Sequence, residues 1–119
     1  RYSHTYATSK IENGKKVLMA DKVYLRDNLH GYKNINLPVI DQPVEQLHPV
    51  IIKDGAWLGE NVCVVGATVG KNSVVGANSV VTKDIPDHCV AVGSPAIIIK
   101  RLKKEKNEWC KTDKEGNFI

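Results

Sequence analysis

The sequence contains little of what fills the core of a helical protein. Its 119 residues include only 7 Leu, 1 Met and 1 Phe, against 15 Val and 10 Ile. β-Branched side chains lose rotamer freedom in helices and pack well on pleated strands. The composition therefore argues against an all-helical protein and predicts one β-rich domain.

Long apolar runs and paired cysteines are also lacking. No run approaches the roughly 18 apolar residues of a membrane-spanning helix, so we expect no membrane span. Cys63, Cys89 and Cys110 are odd in number and form no C-x-x-C pair. They fit neither a disulfide framework nor a zinc site, and they predict a reducing, cytoplasmic location. Because the sequence begins at Arg1 rather than Met, we expect that upstream residues are missing.

Aliphatic residues recur at a period of six in two blocks. The first block contains Ile11, Val17, Val23 and Leu29, and the second contains Ile52, Leu58, Val64, Val69, Val75 and Val81. Only the step from Val64 to Val69 is five residues long. A period of six fits neither a helix nor a simple alternation, but it fits a short strand and a turn repeated three times per coil. These side chains should point inward, with a tightened corner at residues 65–67.

Repeats of this kind resemble those of the left-handed parallel β-helix proteins. We therefore predict an all-β fold, with a left-handed parallel β-helix over residues 1–99 and a protruding loop at 30–49, where the period fails and three prolines occur. Residues 100–119 would form a short helix, over 100–111, and a tail. The predicted helix would cap the open end of the stack. An ordinary β-sandwich is the alternative, but it would place turns roughly every 8–12 residues.

Four sequence motifs carry a more specific resemblance. They are DNLHGY at residues 27–32, WLG at 57–59, VGANSVVTKDIP at 75–86 and AVGSPAIIIKR at 91–101. In this order and spacing they resemble the hexapeptide-repeat acyltransferases. Within that family they are similar to the sugar O-acetyltransferases, which include galactoside, maltose and lipopolysaccharide or capsule acetyltransferases. The resemblance covers residues 17–101.

The resemblance implies an enzyme that moves the acetyl group of acetyl-CoA directly onto a sugar hydroxyl of a surface glycan or its precursor. It also implies a homotrimer with active sites between subunits. His30 and the 30–49 loop of one subunit would then face Trp57 and the Thr82–Lys83 coil of the next.

The resemblance also assigns individual roles. His30 would be the general base, although a single loop histidine is more often only a solvent-exposed residue. The expected cofactor-binding residues are Trp57, Ala77, Thr82, Lys83 and Lys100. Thr8 and Asn28 are the candidates for binding the acceptor. No acyl-enzyme is expected, so no cysteine need act as a nucleophile.

Some positions depart from the family pattern. Ile97 stands where a Lys or Arg usually follows Pro-Ala, and this change should weaken phosphate binding unless Arg101 or Lys103 substitutes. Glu60 replaces a small polar residue. Thr8 stands where an acceptor-binding carboxylate is expected, and few coils precede His30, so we expect that upstream coils are absent from this chain.

Other functions remain open at this point. An N-acetyltransferase of an amino-sugar nucleotide and an antibiotic O-acetyltransferase share the same cofactor motifs. A non-catalytic β-helix scaffold is the alternative outside the enzymes. The four histidines show no metal-ligand spacing, so we expect no metal. The basic residues near 100–106 are interleaved with acidic ones and lack an aromatic platform, so we expect no nucleic-acid partner.

Overall fold

The computed structural model of the chain describes residues 4–6 and 11–119. These residues contain short strands and one 3-10 helix, which confirms the all-β prediction. The strands are β1 (His4–Tyr6), β2 (Ile11–Asn13), β3 (Leu18–Met19), β4 (Tyr24–Arg26), β5 (Asn28–His30), β6 (Val44–Gln46), β7 (Val50–Ile52), β8 (Trp57–Leu58), β9 (Cys63–Val65), β10 (Thr68–Val69), β11 (Val74–Val75), β12 (Val80–Val81), β13 (Cys89–Gly93), β14 (Ala96–Lys103) and β15 (Glu108–Lys111). The 3-10 helix spans Val39–Asp41.

The coil is built from three sheets, which the chain visits in turn, and β5 and β6 form a separate two-stranded sheet. Sheet A has the order β1-β4-β9-β12, sheet B has β10-β7-β2, and sheet C has β15-β14-β13-β11-β8-β3. Pairing is parallel in sheets A and B and from β3 to β13 in sheet C. Successive strands therefore run through B, C and A repeatedly, as expected for a three-sided parallel coil in which each turn stacks on the previous one.

The interior consists of stacked aliphatic columns. Leu25, Val64 and Val81 lie in register in sheet A and are at most 2 % exposed. The equivalent columns are Ile52, Val69 and Ile85 in sheet B, and Met19, Leu58, Val75 and Ala91 in sheet C. The inward orientation predicted for the second aliphatic block is confirmed.

Ile11, Val17 and Val23 of the first aliphatic block also face inward, as predicted, but two residues earlier on each face than the second block: Val23 is fully buried, and Ile11 and Val17 pack against the core. Strand register aligns Asn13, Met19 and Leu25 with the inward column, whereas Ile11 pairs with Val50. Each face of the coil has two inward positions, and the early coils place their β-branched residues at the first one. Leu29 was predicted to point inward, but it is 40 % exposed because the chain has already left the coil.

Two glycines lie where the coil leaves no space for a side chain. Gly66 forms the predicted tight corner with a φ of +56°, a backbone conformation that L residues rarely adopt. A Cβ at this position would lie 2.8 Å from the Cβ of Leu47. At Gly70, a Cβ would collide with the backbone of Pro86 and Asp87 in the next coil.

The predicted C-terminal helix over 100–111 is wrong. Residues 96–103 form β14, which pairs antiparallel with β13, and β15 then pairs antiparallel with β14. Ile97, Ile98 and Ile99 favour a strand, and β13 offers them an open row of backbone groups. This tertiary pairing outweighs the helix propensity of the lysines and glutamates that follow.

The resulting hairpin covers the end of the stack that the helix was expected to cap. Ile98, which is only 6 % exposed, pairs with Ala91 and joins the aliphatic core. Within the described ranges, no helix is long and apolar enough to cross a membrane.

Replacing Leu58 should destabilise the whole coil. The Leu58→Ala change leaves a cavity between Met19 and Val75, and we expect a loss of about 2–5 kcal/mol in the free energy of unfolding. Chemical denaturation of the purified chain measures this loss. Ile119→Ala removes similar atoms from a side chain that is 85 % exposed, and it should change stability by less than about 0.5 kcal/mol. Equal effects of the two changes would contradict the assignment of Leu58 to the core.

Candidate functional site

The base of the 30–49 loop is tied through the buried residue Asp27 and its backbone carbonyl, at the corner between sheets A and B. Asp27 is fully buried, and its Oδ1 accepts a 3.0 Å hydrogen bond from Nδ2 of Asn28. Its carbonyl accepts hydrogen bonds of 2.8 Å from the Gln46 side chain and 2.8 Å from the Leu47 backbone. These bonds join the departing and returning strands, so the loop leaves the coil as an anchored ribbon.

His30 is the last residue of this ribbon's first strand and is exposed. β5 and β6 pair antiparallel, with His30 opposite Val44 and Asn28 opposite Gln46. Because side chains alternate along a strand, His30 and Asn28 lie on the same face. Asn28 itself is 7 % exposed, so within one chain it supports the base of the loop, and its contact with an acceptor stays a prediction.

A buried glutamine, absent from the sequence-based candidates, holds the outer part of the loop. Nε2 of Gln42 donates to the carbonyls of Asn34 at 2.9 Å and Leu37 at 3.0 Å, while its Oε1 accepts a 3.1 Å bond from the Asn34 backbone. Gln42 is only 7 % exposed. It fixes the shape of the loop that follows His30, and nothing in the local sequence distinguishes it from a solvent-exposed residue.

A cleft of about 510 Å³ opens between the base of this loop and the tight corner at Gly66. We call it the loop cleft; it is lined by Leu29, Gln46, Leu47, His48, Val65, Gly66 and Thr82. Thr82 thus lies at the base of its own chain's loop, and its position opposite the loop of a neighbouring subunit stays a prediction. His48, which carried no predicted role, also lines this cleft.

A second cleft, of about 580 Å³, brings Lys83 and Ile97 together near the end of the coil. We call it the end cleft; its walls are residues 82–86 and 95–98, with Lys114 and Glu115. Thr82 lines both clefts, which are therefore adjacent. Arg101 and Lys103, the predicted substitutes for a cation at Ile97, line a separate cleft with His88 and Phe118.

The remaining predicted cofactor contacts lie on or beside sheet C. Trp57 is 48 % exposed on its outer face, in register with Leu18 and Val74, and Lys100 extends the same row beyond Val90. Ala77 is exposed at the corner between sheets C and A, against Gly59. In a three-sided coil, sheet C lies opposite the corner that carries His30. Within one chain, Trp57 and Lys100 therefore lie on the other side of the coil from His30.

Two further predictions concern other residues. Thr8 lies outside the described residues. Across the part of the chain that the structure describes, no group of three or more His, Cys, Asp or Glu residues could hold a metal ion.

Comparison with known proteins supports an acyltransferase relationship. Residues 49–83 match the family model described as the hexapeptide repeat of succinyl-transferase. WbbJ of Escherichia coli, assigned to lipopolysaccharide biosynthesis as an O-acetyl transferase, is 37 % identical over 118 residues, covering 92 % of this chain and 60 % of WbbJ. An assigned acetyltransferase of Mycobacterium tuberculosis is 43 % identical over 91 residues, covering 76 % of this chain and 30 % of its own length. The chain therefore spans less than two thirds of these relatives.

Solved structures agree with the fold. A galactoside acetyltransferase in complex with coenzyme A superposes with a TM-score of 0.76 at 29 % identity, covering 98 % of this chain and 56 % of that one. A maltose O-acetyltransferase from Clostridium difficile gives a TM-score of 0.65 at 28 % identity, covering 87 % and 68 %.

Burial makes two of the three cysteines poor nucleophiles. It raises the pKa of the Cys63 thiol, with Arg26 partly opposing the shift, and it also raises the pKa of Cys89. Only a thiolate attacks carbonyls or alkylating agents efficiently, so both thiols are held in the unreactive form near neutral pH. Cys89 is in addition completely buried.

We therefore expect slow alkylation of both thiols at neutral pH. Labelling of Cys63 by iodoacetamide should accelerate as the pH rises toward its raised pKa, because the thiolate fraction then increases. Cys89 should stay protected until the chain unfolds. Peptide mass spectrometry measures both rates, with the urea-unfolded chain as the control. Rapid labelling of either native thiol at pH values near neutral would contradict this description.

Proposed function

Because the chain is a relative of the hexapeptide-repeat acetyltransferases, we propose that it carries the catalytic part of an O-acetyltransferase. The acetyl group of acetyl-CoA would move directly onto a sugar hydroxyl of a surface glycan or its precursor. The observation that carries this proposal is the position of His30. Its imidazole is exposed on a ribbon anchored through Asp27, at the residue that follows Leu29, and Leu29 lines the loop cleft.

In the proposed reaction, His30 takes the proton of the acceptor hydroxyl as its oxygen attacks the thioester carbonyl carbon. The tetrahedral intermediate then collapses, the carbon–sulfur bond breaks, and the imidazolium returns its proton to the departing CoA thiolate. A base placed in this way is typically worth about 10²–10⁴ in rate. The anchored ribbon contributes by holding the backbone of His30 in place while the acceptor enters from solvent.

The clefts have the chemistry that acetyl-CoA requires. Thr82 borders both clefts, so an extended molecule lying past it would reach from the His30 ribbon to the ammonium of Lys83. Ile97, Pro86 and Pro95 provide an apolar surface beside that charge. Acetyl-CoA is an extended thioester with a phosphorylated end, so it would match the polar, apolar and cationic groups in the order in which they line the two clefts.

We further propose a left-handed coil that assembles as a homotrimer with active sites between subunits. One chain carries His30 at the corner of sheets A and B, and Trp57 with Lys100 on sheet C, so a second chain is needed to bring these groups together. Exposed apolar side chains on the loop support such an assembly. Ile35 is 94 % exposed and Ile40 is 82 % exposed, which suits residues that another chain covers.

Removing the base should abolish most of the transfer. We expect His30→Ala to lower kcat by about 10²–10⁴, because the hydroxyl then loses its proton acceptor. Acetyl-CoA turnover against sugar, amino-sugar and antibiotic acceptors measures this effect and identifies the acceptor class. His88→Asn is the matched control, since it removes an imidazole from another corner and asparagine tolerates its positive φ.

Three outcomes of this experiment would contradict the proposal. Full activity in His30→Ala would exclude it as the base. Failure of the unmodified protein to bind acetyl-CoA would instead favour a non-catalytic scaffold. Turnover with amino-sugar nucleotides alone would favour N-acetylation.

Active sites between subunits predict complementation between inactive variants. His30→Ala and Trp57→Ala, co-expressed in equal amounts, should assemble into mixed trimers in which about one quarter of the sites are intact. We expect acetyl-transfer activity near that fraction of the unmodified protein, although each variant alone is nearly inactive. Activity no higher than that of the separate variants, in trimers verified by native mass spectrometry, would contradict sites shared between chains.

A further inference from the structure

The end cleft lies where the coil stops. β12 is the last strand of sheet A, and the chain then turns through residues 82–86 toward sheet B. Pro95 of the β13–β14 turn and the first residues of β14, including Ile97, form the opposite wall. Because no further strand of sheet A follows β12 in the described chain, the space above it is open to a ligand.

The C-terminal segment folds back across this opening and brings Lys114 to it. Thr112 donates its backbone N–H to Ile99 at 3.1 Å, and Ile98 donates to the carbonyl of Lys114 at 3.2 Å. These two bonds attach the segment to β14. The lysine backbone is therefore held at the cleft while its side chain remains exposed.

A turn centred on Asp113 keeps this segment in place. Its Oδ1 accepts backbone hydrogen bonds from Glu115 at 3.0 Å and Asn117 at 2.9 Å. These donors lower the pKa of the Asp113 carboxyl, so it stays ionised at neutral pH and keeps accepting them. Gly116, with a φ of +92°, packs against Ile98 and lets the chain turn back toward the core.

Lys83 and Lys114 thus line the same cleft from separate parts of the chain. Two carboxylates accompany them. Asp84 is engaged, since its Oδ1 accepts a 2.9 Å bond from the Thr68 backbone, and Glu115 follows Lys114 directly. Two ammonium groups beside the apolar surface of Ile97 and the prolines form an environment suited to a phosphate next to an apolar or aromatic group.

The other nearby cations are committed elsewhere. Arg101 and Lys103 lie over the ring of Phe118, with 5.8 Å and 5.1 Å to its centroid, and both line the separate cleft near His88. Nη1 of Arg101 also approaches the carbonyl of Gly116 at 3.4 Å. Neither residue lines the end cleft.

We propose that Lys114, together with Lys83, binds a phosphate of CoA in the end cleft. Lys114 thereby supplies a cation to the cleft in which Ile97 presents only an apolar side chain. This inference rests on the proposed function, since it takes acetyl-CoA as the ligand. It assigns to the C-terminal segment a direct part in binding the cosubstrate, in addition to covering the core.

Isothermal titration with acetyl-CoA tests the assignment. We expect Lys114→Gln to raise the Kd about three- to tenfold, as for the loss of one charge-assisted contact at an exposed site. Lys114→Arg should keep the affinity. Lys103→Gln removes the same charge from the neighbouring cleft and should leave the Kd unchanged. The loss in Lys114→Gln should shrink between about 50 mM and about 300 mM salt, because salt screens exposed charges.

Each contrary result has a distinct meaning. An unchanged Kd in Lys114→Gln, a loss that salt does not reduce, or a loss in Lys103→Gln instead would overturn the role of Lys114 and leave the proposed function intact. Failure of the unmodified protein to bind acetyl-CoA would overturn both. Thermal unfolding of each variant verifies that the substitutions at exposed Lys114 and half-buried Lys103 leave the fold unchanged.

Discussion

Stacking of one coil on the next is the interaction on which this structure depends. Each strand has only two to three residues between β2 and β12, too few to be stable alone. Its backbone groups pair with the coils on either side, and its inward aliphatic residue continues a column such as Leu25, Val64 and Val81. Every coil thus needs its neighbours, and interruption of a column affects all the surfaces built on it.

The candidate site uses the places where this regular stacking is interrupted. The loop with His30 replaces one corner of the coil, and the coil below accommodates it by tightening its own corner at Gly66. The end cleft forms where sheet A stops at β12. Since the coil interior is filled with aliphatic side chains, binding and chemistry are left to its corners, its outer faces and its end.

Two buried polar groups make the interruption at His30 possible. Asp27 ties the base of the loop, and Gln42 satisfies three backbone groups within it. Buried polar groups are costly unless they are hydrogen-bonded, so these partners hold the loop to one conformation. The backbone that carries the exposed imidazole gains its fixed position from this support, which lies several residues away from it in the sequence.

The sequence by itself determined the coil, because a six-residue period states locally which side chains face inward. It also placed the tight corner and, through the resemblance, the histidine on its loop. The offset of the first block was decided by strand register, since each face offers two inward positions. Only the tertiary structure decided that residues 96–111 form a hairpin, because the open backbone of β13 outweighs local helix propensity. Gln42 and Lys114 likewise owe their places to contacts distant in sequence, which no local pattern encodes.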